Sequence, residues 1–210
     1  MAFRAVLAAA VVVEALGHGR ILEPAGRSSA WRFGFNTPKN YNDNELFCGG
    51  FDRQYGANNG KCGICGDPWD DSPPRDNEDG GKYGTGTIVR KYLQGEEIEI
   101  VIEVTTHHKG WFEFKLCPVE DGKESTQECL DHYPIMLVGN QTSRYTLPEG
   151  SKEGIYNFKG QLPKDLVCDR CVLQWHWTTG NRWGLCLNGT GHLGCGFQET
   201  FRGCSDITIA

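Results

Sequence analysis

The clearest hydrophobic pattern in the chain lies in residues 96–106, EEIEIVIEVTT. Apolar side chains recur there at every second position: Ile98, Ile100, Ile102 and Val104. Glu99 and Glu103 fall on the opposite parity. A period of two residues predicts a half-buried β-strand with one face toward a core and one toward solvent.

Five further runs have the character of strands: WFEFKLC, YPIMLV, EGIYNFKG, CVLQWHWTT and QETFRGCSDITIA. Turn residues separate them, and no long stretch has a 3.6-residue period. Residues 18–86 are instead rich in Gly, Asn, Asp and Pro, which predicts irregular, cross-linked loops. We therefore predict an all-β fold, an antiparallel β-sandwich with a long disulfide-linked loop region near the N-terminus.

Residues 1–17 have the pattern of a secretory signal peptide. A positive start ending at Arg4 precedes the apolar run AVLAAAVVV and the small-x-small site Ala15-Leu16-Gly17. A membrane anchor is the alternative, but such a helix needs about 20 apolar residues. We predict cleavage after Gly17 and a secreted, extracellular single domain at 18–210.

The cysteines favour an oxidising compartment, because their number is even and all follow the leader. They are Cys48, Cys62, Cys65, Cys117, Cys129, Cys168, Cys171, Cys186, Cys195 and Cys204. We expect disulfides, whose pairing the sequence leaves open. A zinc site at the two CxxC motifs is the alternative, although these lie much further apart than the roughly 15–20 residues of a zinc ribbon.

Two further surface properties are possible glycosylation and the net charge. Asn140 and Asn188 begin N-x-Thr glycosylation sequons. The net charge is −6, without a basic run, which argues against nucleic acid or an anionic membrane as a partner. We expect a monomer.

Strand parity separates the histidines. Counting by two along 98–104 places His108 on the apolar face at the strand end and His107 on the polar face. His176 lies between two tryptophans, where a packing role is expected, and His132 and His192 occur in loops. For His108 the alternative to a ligand is a core-edge histidine bonded to a backbone carbonyl.

Cleavage after Gly17 would give His18 a free α-amine beside its own imidazole. The amine and Nδ1 of one residue close a chelate ring, and an imidazole from His108 would complete three nitrogens in a T-shaped plane. Such a nitrogen-rich, tetragonal set suits Cu(II). The amine binds in its neutral form, which a reference pKa of about 7.7 makes accessible.

Several spaced motifs resemble one family across essentially the whole mature chain. They are HGRILEPAGRSSAWRFGF, FCGGF, NGKCGICGD, HHKGWFEFKLCP, LQWHWTTGNRWG and GCGFQETFRGCSDITI, in that order. The chain resembles the lytic polysaccharide monooxygenases of auxiliary activity family 15. The resemblance implies an immunoglobulin-like or fibronectin-like sandwich whose flat face carries one copper ion.

The resemblance also implies roles for individual residues. His18 would supply its amine and Nδ1, and His108 its Nε2. Phe201 matches an axial position where Tyr or Phe is found, and as a Phe it would only shield that side. Glu199 would orient an oxygen species, the alternative being a surface glutamate. Thr106 departs from the small alanine expected there, which leaves the shape of the axial pocket open.

The implied activity is oxidative cleavage of glycosidic bonds in crystalline polysaccharide. It needs O₂ or H₂O₂ and an external electron donor, and it attacks C1 or C4 of the sugar. We favour chitin and C1 attack, with cellulose as the alternative. Trp31, Tyr41, Phe51 and Tyr55 are candidates for stacking on sugar rings, although each can equally belong to a small loop core.

Two other classes of protein stay open at this point. A non-catalytic carbohydrate-binding protein would use an aromatic surface without requiring a terminal His18. A secreted glycosidase would need a pair of carboxylates that the acidic residues of this chain can supply. A free histidine at the mature N-terminus distinguishes the copper enzyme from both.

Overall fold

Within the residues that the structure describes, eleven strands and one short α-helix make up most of the regular structure. The structure, a computed structural model, describes residues 18–120, 123–139 and 141–210. The strands are β1 (His18–Glu23), β2 (Ile88–Tyr92), β3 (Glu97–Thr106), β4 (Trp111–Pro118), β5 (Met136–Leu137), β6 (Arg144–Thr146), β7 (Gly154–Gln161), β8 (Cys168–Thr178), β9 (Trp183–Leu185), β10 (Gly191–Leu193) and β11 (Thr200–Ile209). Helix α1 spans Gln127–His132. The proposed signal peptide, 1–17, and Asn140 lie outside the described residues.

The strands form two main sheets and a separate hairpin. One sheet has the order β1-β3-β7-β5, the other β2-β11-β8-β4-β6, and β9 pairs with β10. All pairs between named strands are antiparallel except β2 with β11. The predicted antiparallel sandwich is confirmed, with one parallel pair at the end of the larger sheet.

The expectation that residues 18–86 contain only irregular loops is wrong at their beginning. Residues His18–Glu23 form an edge strand because their burial alternates against β3. A 3-10 turn at Ala30–Phe33 and a π-helical turn at Asp52–Ala57 interrupt the remaining loops. Over the described ranges, no helix has the length and apolar content to cross a membrane.

The core lies between the two sheets. In β3 the side chains of the inward-facing parity, Ile98, Ile100, Ile102 and Val104, are at most 1 % exposed, as the period of two predicts. Phe112 of β4 contacts Tyr156 and Phe158 of β7 edge-to-face, with ring centroids 5.8 and 6.0 Å apart. Each fully buried aliphatic or phenylalanine side chain in this core contributes roughly 1.5–3 kcal/mol to the stability of the fold. This core fixes the strand ends on which the site is built.

All ten cysteines are paired. The disulfides are Cys48–Cys62, Cys65–Cys204, Cys117–Cys129, Cys168–Cys171 and Cys186–Cys195. Because no cysteine is free, the zinc alternative at the CxxC motifs does not hold. The first two bridges fasten the N-terminal loop region, one within itself and one to β11.

A buried charge network joins the same loop region to β11. The Arg27 guanidinium donates two hydrogen bonds of 2.7 Å to Asp206 and one of 2.6 Å to Asp79. Burial opposes its charge, but these carboxylates outweigh that effect and raise the pKa of Arg27. Arg27 is therefore always charged, and the stability of this buried charge depends on its acidic partners.

Replacing one partner should expose this dependence. We expect Asp206→Asn to lower the free energy of unfolding by about 3 kcal/mol or more, because it leaves a buried cation undercompensated. Asp131→Asn, which removes a largely exposed partner of Lys115, should cost less than about 1 kcal/mol. Urea denaturation of both variants measures the difference. Equal losses would contradict the buried-pair account.

Candidate metal centre

The pairing of β1 with β3 brings the two candidate histidines to one end of the smaller sheet. His18 is the register partner of Thr106, the last residue of β3. His108 follows two residues later, after the strand has ended. Its backbone is fixed there because its carbonyl accepts a 2.8 Å hydrogen bond from the amide of Gly180.

The His108 imidazole is buried and has no hydrogen-bond partner within the described residues. The residue is 4 % exposed, as its strand parity predicts, and both ring nitrogens are buried and unpaired. The nearest carboxylate oxygen, Oε2 of Glu199, lies 3.7 Å from Nδ1. A buried polar atom without a partner costs about 1–3 kcal/mol. The alternative of a core-edge histidine bonded to a carbonyl therefore does not hold, and a ring nitrogen is free to bind a metal ion.

His18 presents its ring differently. It is half-buried, and its Nε2 lies 3.2 Å from Oε1 of Glu45. With Nε2 facing a carboxylate, Nδ1 is the nitrogen left for another partner. The next residue is also anchored, since the Gly19 amide donates a 2.9 Å hydrogen bond to the carbonyl of Asn44.

Phe201 and Glu199 lie close to this end of the sheet, at the start of β11. Phe201 is fully buried and packs between Phe47 and Trp177, with ring centroids 5.9 and 5.1 Å apart respectively. The Glu199 side chain is only 9 % exposed, so the alternative of a surface glutamate does not hold. Thr106 is half-buried opposite His18.

The other histidines are placed differently, although Nε2 of His107 is also buried without a partner in the described residues. Burial lowers the pKa of His107, whose Nδ1 accepts from the amide of Lys109. His176 uses both ring nitrogens: Nδ1 accepts from Arg202 at 3.1 Å, and Nε2 lies 3.0 Å from the Thr178 hydroxyl. His132 and His192 are exposed. In the described segments no group of three or more His, Cys, Asp or Glu side chains can hold a metal ion. A metal site here needs a further donor, which the amine of a terminal His18 would provide.

The four aromatic candidates divide into two groups. Trp31 and Tyr41 pack edge-to-face at 5.2 Å, and Tyr41 is 72 % exposed. Phe51 and Tyr55 belong to a second group with Phe197, which stacks on Tyr55 at 4.7 Å. We call Phe51, Tyr55 and Phe197 the aromatic strip. Phe197 is 71 % exposed, and sequence reasoning missed it because it lies among turn residues.

The aromatic strip connects two recesses on the surface. His108, Glu199, Arg182 and Phe51 are among the residues that line one recess. Phe51 and Phe197 also line the second, larger recess against the β9–β10 hairpin. The hairpin itself exposes apolar side chains: Trp183, Leu185, Leu187 and Leu193. The candidate centre therefore adjoins an extended apolar surface.

A family model described as "Lytic polysaccharide mono-oxygenase, cellulose-degrading" matches residues 18–207. This chain belongs to the lytic polysaccharide monooxygenases. It is similar to the structure of "Lytic Polysaccharide Monooxygenase AA15 from Thermobia domestica in the Cu(I) State", with 45 % identity and a TM-score of 0.88. That alignment covers 92 % of this chain and 99 % of the other. No curated protein matches the chain.

A chitin binding domain from Burkholderia pseudomallei shares the fold alone. Its identity is 15 % and its TM-score 0.50, over 92 % of this chain and 100 % of that one.

The family model and the Thermobia domestica structure confirm the predicted resemblance to family AA15 and the enzyme class. This lytic polysaccharide monooxygenase is a copper-dependent enzyme that cleaves polysaccharide by oxidation, using O₂ or H₂O₂ and a reductant.

Gln198 joins the β9–β10 hairpin to the segment of this monooxygenase that carries Glu199, immediately before β11. It is buried, and its side-chain amide donates to the carbonyls of Arg182 at 3.1 Å and Cys195 at 2.7 Å. Its Oε1 accepts from the Arg182 amide at 3.1 Å. The base of the hairpin is thereby held at both ends by one side chain.

We expect Gln198→Ala to loosen this attachment. The substitution removes three hydrogen bonds to part-buried backbone groups, each of which contributes about 0.5–1.5 kcal/mol, so local opening should become about tenfold or more frequent. Hydrogen–deuterium exchange of the amides of Arg182 and Gly194 measures it. Gln94→Ala, at an exposed glutamine, serves as the control. Unchanged exchange in the Gln198 variant would contradict the bridging role.

Proposed function

We propose that the mature enzyme begins at His18 and that His18 and His108 hold a single copper ion. His18 contributes its α-amine and Nδ1, and His108 contributes a ring nitrogen. The observation that carries this proposal is the buried imidazole of His108, whose two ring nitrogens have no hydrogen-bond partner. It lies near the end of the sheet where His18 begins β1 and pairs with β3. The neutral nitrogen donors also match the preference of Cu(II) for tetragonal nitrogen sites.

Bound copper supplies the redox chemistry by which one oxygen atom enters the substrate. Phe201 has no lone pair and would not bind the ion; its buried ring would exclude water from the side of the site that it covers. Glu199 presents an acceptor oxygen within the same recess, where it can orient a hydroxyl or hold a proton on Oε2. Thr106, the register partner of His18, has a methyl and a hydroxyl group where alanine would have only its Cβ.

The proposed substrate is an insoluble β-linked polysaccharide, chitin in preference to cellulose, with oxidation at C1. The aromatic strip offers ring faces that stack on sugars. Trp31 and Tyr41 form a second aromatic pair in the loop region that also carries Asp43, the buried partner of Arg32. The exposed leucines of the hairpin favour chitin, because its acetamido methyl groups give it apolar contacts that cellulose lacks.

The proposed setting is extracellular. The five disulfides are consistent with a secreted monomer whose residues 1–17 are removed, leaving a single domain at 18–210. Asn188 is exposed at the hairpin tip, where its Oδ1 accepts from the amide and hydroxyl of Thr190. We propose it as a glycan acceptor, together with Asn140.

Copper affinity tests the ligand assignment. We expect His108→Ala to weaken Cu(II) binding by at least about a hundredfold, because an immobilised nitrogen ligand is lost. His107→Ala should leave the affinity nearly unchanged, since the preceding strand turns that ring to the other face. Isothermal titration calorimetry on protein beginning at His18 measures both.

Protein that retains Gly17 ahead of His18 is the second control. In this protein the backbone nitrogen of His18 is part of a peptide bond and cannot act as an amine donor. The Cu(II) affinity of the protein should therefore also fall. Intact-mass analysis of protein secreted with its own leader locates the natural start. A start other than His18, or equal losses for His107→Ala and His108→Ala, would overturn the assignment.

Product analysis tests the reaction. Copper-loaded enzyme with ascorbate and crystalline chitin should release aldonic acid oligosaccharides, and product should disappear without reductant. Mass spectrometry, with cellulose in parallel, measures the oxidation and the substrate. Oxidised products from cellulose alone would overturn the chitin assignment, while products oxidised at C4 would overturn the C1 assignment.

A further inference from the structure

Residues 43–47 form a segment that lies alongside the start of β1 and is held by contacts to the neighbouring strands. We call it the bracket segment. Asp43 is buried and accepts from Arg20 at 2.7 Å and from Arg32 at 2.6 Å. The first of these arginines belongs to β1, so the segment begins with a contact to the strand that His18 opens.

The next contacts continue along the site. The carbonyl of Asn44 accepts from the Gly19 amide at 2.9 Å, and its side-chain amide donates to Thr105 at 3.0 Å. The segment therefore contacts β1, which begins at His18, and β3, which leads to His108.

The far end of the bracket segment rests on β11. The carbonyl of Leu46 accepts from the Arg202 amide at 3.0 Å, and Phe47 stacks on Phe201. The Cys48–Cys62 disulfide follows immediately. Glu45 is thus an exposed side chain on a backbone that is fixed on both sides.

Glu45 directs its carboxylate to one nitrogen of His18. Oε1 lies 3.2 Å from Nε2. A neutral imidazole has one protonated nitrogen, and the lone pair lies on the other. A proton held on Nε2 leaves Nδ1 as the donor, which is the nitrogen that can close a chelate ring with the α-amine of the same residue.

We propose that Glu45 is a positioning residue for the copper ligand His18: it holds the ring so that Nδ1 faces the metal. This proposal rests on the proposed function. An isolated exposed pair contributes only about 0–1 kcal/mol to stability. The effect of Glu45 is instead on ring orientation, because the anchored backbone removes most of the freedom that such a pair usually has.

The test uses mature protein beginning at His18 and compares Glu45→Ala, Glu45→Gln and, as a matched control, Glu99→Ala on the solvent face of β3. Cu(II) affinity is measured by calorimetry and the ligand field by electron paramagnetic resonance. We expect Glu45→Ala to weaken binding about 10- to 100-fold, the range for partners that orient metal ligands, and to change the spectrum. Glu45→Gln keeps an acceptor oxygen and should restore most of both properties.

Circular dichroism and thermal unfolding establish that the variants fold. Wild-type affinity and an unchanged spectrum in Glu45→Ala would overturn the proposal, and so would a Glu45→Gln variant as weak as Glu45→Ala. If the electron paramagnetic resonance spectrum of wild-type protein shows no Cu(II) with nitrogen ligands, the proposed function itself is contradicted. That result is distinct from the failure of Glu45 alone.

Discussion

The pairing of β1 with β3 is the constraint on which the candidate centre depends. The strand that begins at His18 is hydrogen-bonded along β3 and buries Ile21. The charge pairs of Arg20 with Asp43 and Glu103 hold it further. A ligand set that includes a terminal amine requires such an anchored terminus, because a mobile amine would lose the geometry that binding needs.

Close packing beneath β1 adds a steric condition. A Cβ at Gly19 would stand 3.0 Å from both the Trp175 ring and the carbonyl of Glu103. The strand therefore lies directly on the tryptophan layer only because residue 19 has no side chain. Trp177 lies in the same layer, where Phe201 packs on it. The core and the candidate centre are consequently continuous, and the position of His18 depends on side chains that never meet the substrate.

The sequence predicted those features that depend on local periodicity. The alternation in β3 gave the buried face and the inward direction of His108, and turn residues gave the separation of the strands. β1 was missed because its six residues stand ahead of a long Gly- and Pro-rich stretch, and its strand character comes from pairing with β3. Disulfide pairing, the aromatic strip and the contact of Glu45 with His18 depend on residues distant in sequence, for which no periodic signal exists.

The two disulfides of the N-terminal loops make these loops sensitive to the redox environment. Cys48–Cys62 closes the loop that follows the bracket segment, and Cys65–Cys204 joins the loops to β11, whereas the sandwich has its own apolar core. A chain kept reduced would retain the driving force for the sandwich but lose the fastening of the loops around His18. The loops beside His18 therefore depend on oxidised cysteines more directly than the apolar core of the sandwich does.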